Sequence, residues 1–180
     1  MIDENGNFVV TINDIRSLYR KGGVFGHKYE VLITPPPQNI FGSEFTKKLR
    51  ILAKSATIPK KEIKTKTISY KGRPVVLRSQ LDFGETCSVS VYEDSEMNIR
   101  KTLDKWITLS DSLEDGTIED YHLGSLVIYQ LDNENNRIYG VEFKEVFLTS
   151  ISEIKYSAER TDNITYDLTF AYSTWENIKV

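Results

Sequence analysis

The stretch from Ala56 to Trp106 restricts the fold more than any other part of the chain. It runs ATIPKKEIKTKTISYKGRPV and then, a few residues on, DFGETCSVSVYEDSEMNIRKTLDKW. Ile63–Tyr70 and Pro74–Gln80 read as strands around Lys71-Gly72-Arg73, where a glycine supplies the positive φ of a tight turn. Lys60, Lys61, Lys64, Lys66, Lys71, Arg73 and Arg78 leave this hairpin, taken as 60–80, little reason to pack into its own core. It is expected to project, with Lys64, Lys66, Tyr70, Gly72 and Arg73 toward a neighbouring chain. Thr86–Tyr92 then alternates, Cys87, Val89 and Val91 on one face and Thr86, Ser88 and Ser90 on the other. Asp94 and Ser95 offer N-caps, and Ile99, Leu103 and Trp106 follow at helical spacing. These three are expected to anchor a helix on the apolar face of a sheet.

The flanking segments supply more strands. Thr11–Lys21 reads as a short helix, capped by Thr11, stopped by Gly22-Gly23 and striped by Ile12, Ile15, Leu18 and Tyr19. Tyr29–Ile33 reads as a strand ended by Pro35-Pro36-Pro37, since proline cannot donate to a ladder. Residues 35–48 read as a loop, Leu49–Ala56 as another strand and Ser110–Asp120 as an acidic loop. Gly124–Leu131, Arg137–Leu148 and Ile164–Tyr172 complete the strands, with Asp132–Asn136 as a turn. In the last of them Ile164, Tyr166, Leu168, Phe170 and Tyr172 share one face, with Phe170 as a core anchor. Thr165, Asp167 and Thr169 share the other. The fold class is therefore mainly β with minor α: an antiparallel sandwich or open barrel, one central helix and a short N-terminal helix. No composition shift divides residues 1–180, so one domain is expected.

The polar face of that sheet is small and uniform. It suits a surface past which something slides, or plain solvent exposure. Charge is less even. Residues 47–78 hold eleven Lys or Arg and one acid, whereas 82–134 hold three Lys or Arg and thirteen acids, although the chain nets only −3. Two such blocks are either solvated faces or the complementary surfaces of a self-associating subunit.

Little in the chain suggests chemistry. His27 and His122 have no ligand neighbours at metal spacing, and Cys87 alternates with valines like a small buried hydrophobe. There is no GxSxG, P-loop or GxGxxG, and Glu93-Asp94 and Glu119-Asp120 are explained by capping and solvation. No catalytic residue, metal ligand or cofactor is assigned. The basic stretch 60–78 would suit phosphates but has no stacking platform, and an acidic block follows it. No apolar run approaches the roughly 20 residues of a membrane helix, and MIDENGNFVV is acidic where a secretory signal is basic. One cysteine allows no internal disulfide.

Taken together and in order, these segments resemble the tail tube proteins of contractile-tailed bacteriophages of the T4 type. The resemblance is carried by TINDIRSLYRKG before HKYEVLI, by ATIPKKEI, by ISYKGRPV and by SVSVYED opening onto NIRKTLDKW. It is most specific in EFKEVFLTSISEIKYS followed by NITYDLTFAYSTWE. It departs at PPPQNIFGSEFTKK, a longer connection than the T4 type leads one to expect. The resemblance implies hexameric rings that share one barrel and stack into a tube through which double-stranded DNA leaves the virion. It implies sheath, baseplate and tape-measure proteins as partners, no membrane insertion, and synthesis in the host bacterial cytoplasm. The lumen would then be lined by Thr86, Ser88, Ser90, Thr165, Asp167 and Thr169. A baseplate tube initiator or the inner tube of a contractile injection system is the alternative, and a free-standing nucleic-acid-binding barrel is a third reading.

Overall fold

Strand β5 (Thr86–Tyr92) turns its alternation directly into structure. In the computed structural model, which describes residues 11–20, 22–36, 43–111, 123–159 and 161–179, its Cys87, Val89 and Val91 are buried. They stand opposite Phe170, Leu168 and Tyr166 of β8 (Thr165–Ala171), which are buried as well. On such a ladder one residue of slip would move every apolar side chain to the wrong face, so the register is strongly specified.

The sheet turns about one long strand, β7 (Arg137–Ile151). Its first half lies between β6 (Gly124–Leu131) and β9 (Thr174–Ile178), and its second half pairs with β8. The exchange of partners follows Lys144-Glu145. Leu126 opposes Phe143, but Gly124 opposes Val146, and Glu145 takes φ 55. A bulge of this kind bends a strand and steepens its twist. With β1 (Tyr29–Thr34) on β6 and β2 (Ala53–Ala56) on β5, the result is one seven-stranded antiparallel sheet curled into an open barrel. Its end strands approach without pairing: Tyr29 Oη donates to the Ala53 carbonyl at 3.4 Å.

Helix α2 (Ser43–Leu52) packs beside that gap, and here the sequence reading needs correction. Residues 43–48 are helical rather than loop, and Leu49–Ala56 is the last helical turns plus a four-residue strand, not one strand. The deciding signal begins upstream: Phe45, Leu49 and Leu52 recur at i, i+4, i+7, and Phe45 and Leu49 enter the core while Ile51 points to solvent. Ion pairs pin the helix. Arg50 and Arg137 flank the nearly buried Glu30 carboxylate, the latter at 2.9 Å, and Lys48 meets Asp94 at 3.1 Å.

Helix α3 (Asn98–Asp111) buries Ile99, Leu103 and Trp106 completely or nearly so, with the Trp106 ring 5.9 Å from that of Phe170. Each such side chain contributes about 1.5–3 kcal/mol by leaving water. Its first turn is capped by two acids rather than by Ser95. Asp94 accepts from the Glu96 and Asn98 amides, and Glu93 from those of Ile99 and Arg100. The helix runs to Asp111, so Ser110 and Asp111 are helical rather than part of the expected loop; residues 112–122, with His122, lie outside the described residues, as do 37–42. Helix α1 (Ile12–Arg20) leaves Ile12 and Ile15 exposed; Lys21 and the side chains of Leu18 and Tyr19 are outside the description.

Candidate functional site

Two surfaces stand out among the described residues. The first is the hairpin of β3 (Glu62–Tyr70) and β4 (Arg73–Asp82), which pair only with each other in a sheet of their own. Its turn is the two residues Lys71 (φ 48) and Gly72 (φ 75), the left-handed pair that matches the twist of a hairpin. Every residue from 62 to 81 is exposed. Directly paired residues share a face, so Lys66–Leu77, Ile68–Val75 and Tyr70–Arg73 form one side, extended by Lys64.

That side is not merely basic. Ile68, Val75, Leu77 and Tyr70 make a continuous apolar strip, with Tyr70 61 % exposed, edged by Lys64, Lys66 and Arg73. Among the described residues nothing covers it. Two strands alone are marginal in water, so such a strip is a contact surface or a liability. Sequence reasoning weighed the lysines and passed over Ile68, Val75 and Leu77. The even-numbered alternation Lys64, Lys66, Ile68, Tyr70 was the available signal. Part of the charge is spent within the arm, since Lys64 pairs with Asp82 at 2.8 Å.

The second surface is the polar face of β5 and β8. Ser88 stands opposite Thr169 and Ser90 opposite Asp167, while Thr86 and Thr165 lie across from Ala171 and Tyr92 at the two ends. The Ser90 hydroxyl donates to the Asp167 carboxylate. The face is wider than the six residues chosen from sequence. Ser55 of β2 pairs with Ser90 and Ser150 of β7 with Thr169, and the Asp167 amide donates to Ser152 Oγ at 2.9 Å. Two hydroxyl rows thus cross four strands, with Asp167 as the one carboxylate in them. Ser150 and Ser152 flank Ile151 in a visible alternation; Ser55 carries no such signal because ILAKSA does not alternate.

Two ionisable groups lie in the core beneath the second surface, Cys87 and Tyr166. Burial pushes the Cys87 thiol up to about 12, so it is not a thiolate near neutral pH. Burial, then the hydrogen bond to Glu93, raises the Tyr166 hydroxyl further still. Among the described residues no cluster of three or more His, Cys, Asp or Glu could hold a metal, and no helix is long and apolar enough to cross a membrane.

Solved structures share this fold at low identity. A chain of the sheath–tube complex of an extracellular contractile injection system, in its extended state, is 13 % identical with a TM-score of 0.63, over 96 % of this chain and 100 % of that one. A chain of the tube-terminating cap of the anti-feeding prophage is 11 % identical with a TM-score of 0.64, over 100 % of both. A chain of that prophage's baseplate gives 10 % and 0.54, over 83 % of this chain and 90 % of its own. No curated protein matches the sequence. Identities this low establish a shared fold and nothing more. The sequence itself, however, matches the family model for the phage tail tube protein over residues 24–178, a span that takes in the entire barrel and its arm, and by that match the chain belongs to the phage tail tube protein family.

Proposed function

We propose that this chain is a non-enzymatic structural subunit of a phage tail tube, built into the virion as stacked hexameric rings. The observation that carries the reading is the arm. A hairpin of twenty-one residues from Glu62 to Asp82, with an apolar strip and a basic edge, is stable only against a second copy. Its target would be the acidic stretch 110–120 of that copy. Closing barrels side by side would also cover the unpaired edges of β1 and β2, which otherwise invite uncontrolled pairing.

The hydroxyl rows then form the lumen wall, through Thr86, Ser88, Ser90, Thr165, Asp167 and Thr169. These six residues bring hydroxyls and a carboxylate and no Lys or Arg, so they offer phosphates no cation to release counterions against, and DNA would pass them without being held. Sheath, baseplate and tape-measure proteins would be the outer and terminal partners.

Electron microscopy of the concentrated protein tests this. Hollow tubes or six-fold rings wide enough for duplex DNA are expected, if necessary after nucleation by a baseplate; a solution that stays monomeric with the nucleator present would defeat it. Within that assay, Lys64→Glu combined with Arg73→Glu should slow polymerisation. A gold cluster attached at Ser88→Cys should mark the inner rim rather than the outer surface.

A second reading is a terminator or initiator of a tube, since a chain of the tube-terminating cap shares the fold to the same degree, with a TM-score of 0.64, as one of the sheath–tube complex, at 0.63. A terminator or initiator would stop at one or two rings under conditions in which a tube subunit elongates without limit.

A further inference from the structure

We infer that Lys61, Phe83 and Trp175 form a clasp that fixes the direction in which the arm leaves the barrel, with Lys61 as its positioning residue. The inference rests on the arm being the contact with the next copy.

The arm joins the barrel through two short legs, residues 57–61 and 83–85. A strand of nine residues is about 30 Å long, so a swing of about 10° at the legs would move the tip by about 5 Å. That exceeds what a packed contact tolerates, about 1 Å between surfaces. Two peptide legs alone cannot hold such an angle.

The structure supplies what the legs lack. The Phe83 carbonyl receives two donors, Trp175 Nε1 and Tyr172 Oη, each at 2.8 Å, which occupies both of its lone pairs. The Phe83 ring meets Trp175 edge-on, at 86° with centroids 6.0 Å apart. Trp175 is itself buried against Phe143 of the core. From the other leg, the Lys61 ammonium lies 4.8 Å from the Phe83 ring and 5.0 Å from the Trp175 ring. One cation on two aromatic faces thus bridges the outgoing leg to the returning one and to β9. The legs also touch at Gly84, which takes φ +75; a Cβ there would lie 3.0 Å from Tyr172 Oη and 3.2 Å from Pro59.

The clasp gives the Trp175-Glu176 ending a task that packing alone does not. Trp175 mounts the arm's root in the core, and Lys61 closes it from outside. Because Lys61 is exposed, its removal should change the arm's angle without unfolding the barrel.

The test uses the full chain carrying spin labels at Val76→Cys on the arm and Lys105→Cys on α3; Cys87 is buried and does not compete for label. Double electron–electron resonance should give one narrow distance distribution. With Lys61→Gln its width should about double at an unchanged melting temperature, and seeded elongation should slow about five-fold, the size that one exposed cation–π contact supports. Lys61→Arg should restore both. Trp175→Phe, which keeps a six-membered aromatic ring and loses the N–H, should broaden the distribution on its own and serves as the second variant. A distribution unmoved by Lys61→Gln overturns the inference, and so does a broadened one with unchanged elongation. Failure of the arm-docking reading shows separately, as normal elongation of the Lys64→Glu, Arg73→Glu chain, while the distances still report on the clasp.

Discussion

The barrel and the arm are made of the same material and are stabilised in opposite ways. Both are antiparallel strands that carry valines or isoleucines among small polar or charged residues. In β5 the valines stand beside Leu168 and Tyr166 in the core, and none is accessible. In β4 the equivalent valines face water, and Val76 is 64 % exposed. The hydrogen-bonded ladder is present in both, so the difference lies in what covers the apolar face. A ladder alone returns little net free energy, because water offered the same bonds to the unfolded chain. The body covers its apolar face with its own core, whereas no described residue covers that of the arm.

The comparison should break first in the core. Leu103→Ala should destabilise the isolated chain by about 3–5 kcal/mol, read as a lower urea midpoint at constant m-value, because the removed side chain leaves a cavity that α3 cannot collapse into. The same change of residue type sharpens the contrast next. Val89→Ala in the barrel should cost about 2 kcal/mol by the lost transfer and cavity terms.

Smaller and pH-dependent is the cap of α3. Burial alone would raise the Asp94 carboxyl, but the Asn98 amide, the Lys48 ammonium and the Asn98 side chain together hold it well below the usual carboxylate range. A depressed carboxyl stabilises the fold at pH values above its unfolded value near 4, and that stability is lost as pH falls below it. Asp94→Asn should therefore cost about 1 kcal/mol at pH 7, the size of an N-cap, and the gap to wild type should narrow steadily in melts from pH 4 to pH 2. An equal gap at both ends of that range would count against the cap.

Smallest of all, Val76→Ala in the arm should move the monomer's stability by less than about 0.5 kcal/mol. If Val76→Ala cost as much as Val89→Ala, the arm would be packed on its own barrel in solution and the contrast between the two regions would be wrong.

Much of the barrel was legible because its signals are local and redundant. Thr86–Tyr92 alternates without interruption, and Ile99, Leu103 and Trp106 mark one helix face, so the main β–α–β sequence could be placed before any contact was known. The misplacement of α2 has a definite cause. LRILAKSA is a short apolar run that fits a strand or a helix, and only Phe45, further upstream, selects the helix. Strand β9 lies beyond Ile164–Tyr172, the last strand visible in the sequence, because five residues, TWENI, carry too few alternations to be recognised alone. On the two surfaces, charge was visible residue by residue, whereas the apolar strip and the full width of the hydroxyl rows depend on which strand stands beside which.

By itself, then, the amino-acid sequence determined which strands have a wet and a dry face, where the tight turn of the arm lies, and which helix anchors the core. These are set by side-chain alternation and local backbone preference, which act over a few residues. Only the tertiary structure decided that β7 changes partners at Glu145, that Ser55 and Ser150 join the polar face of β5 and β8, and that Trp175 meets Lys61 across more than a hundred residues of chain. Those outcomes depend on register and curvature, which arise only when distant segments compete to cover the same apolar surface.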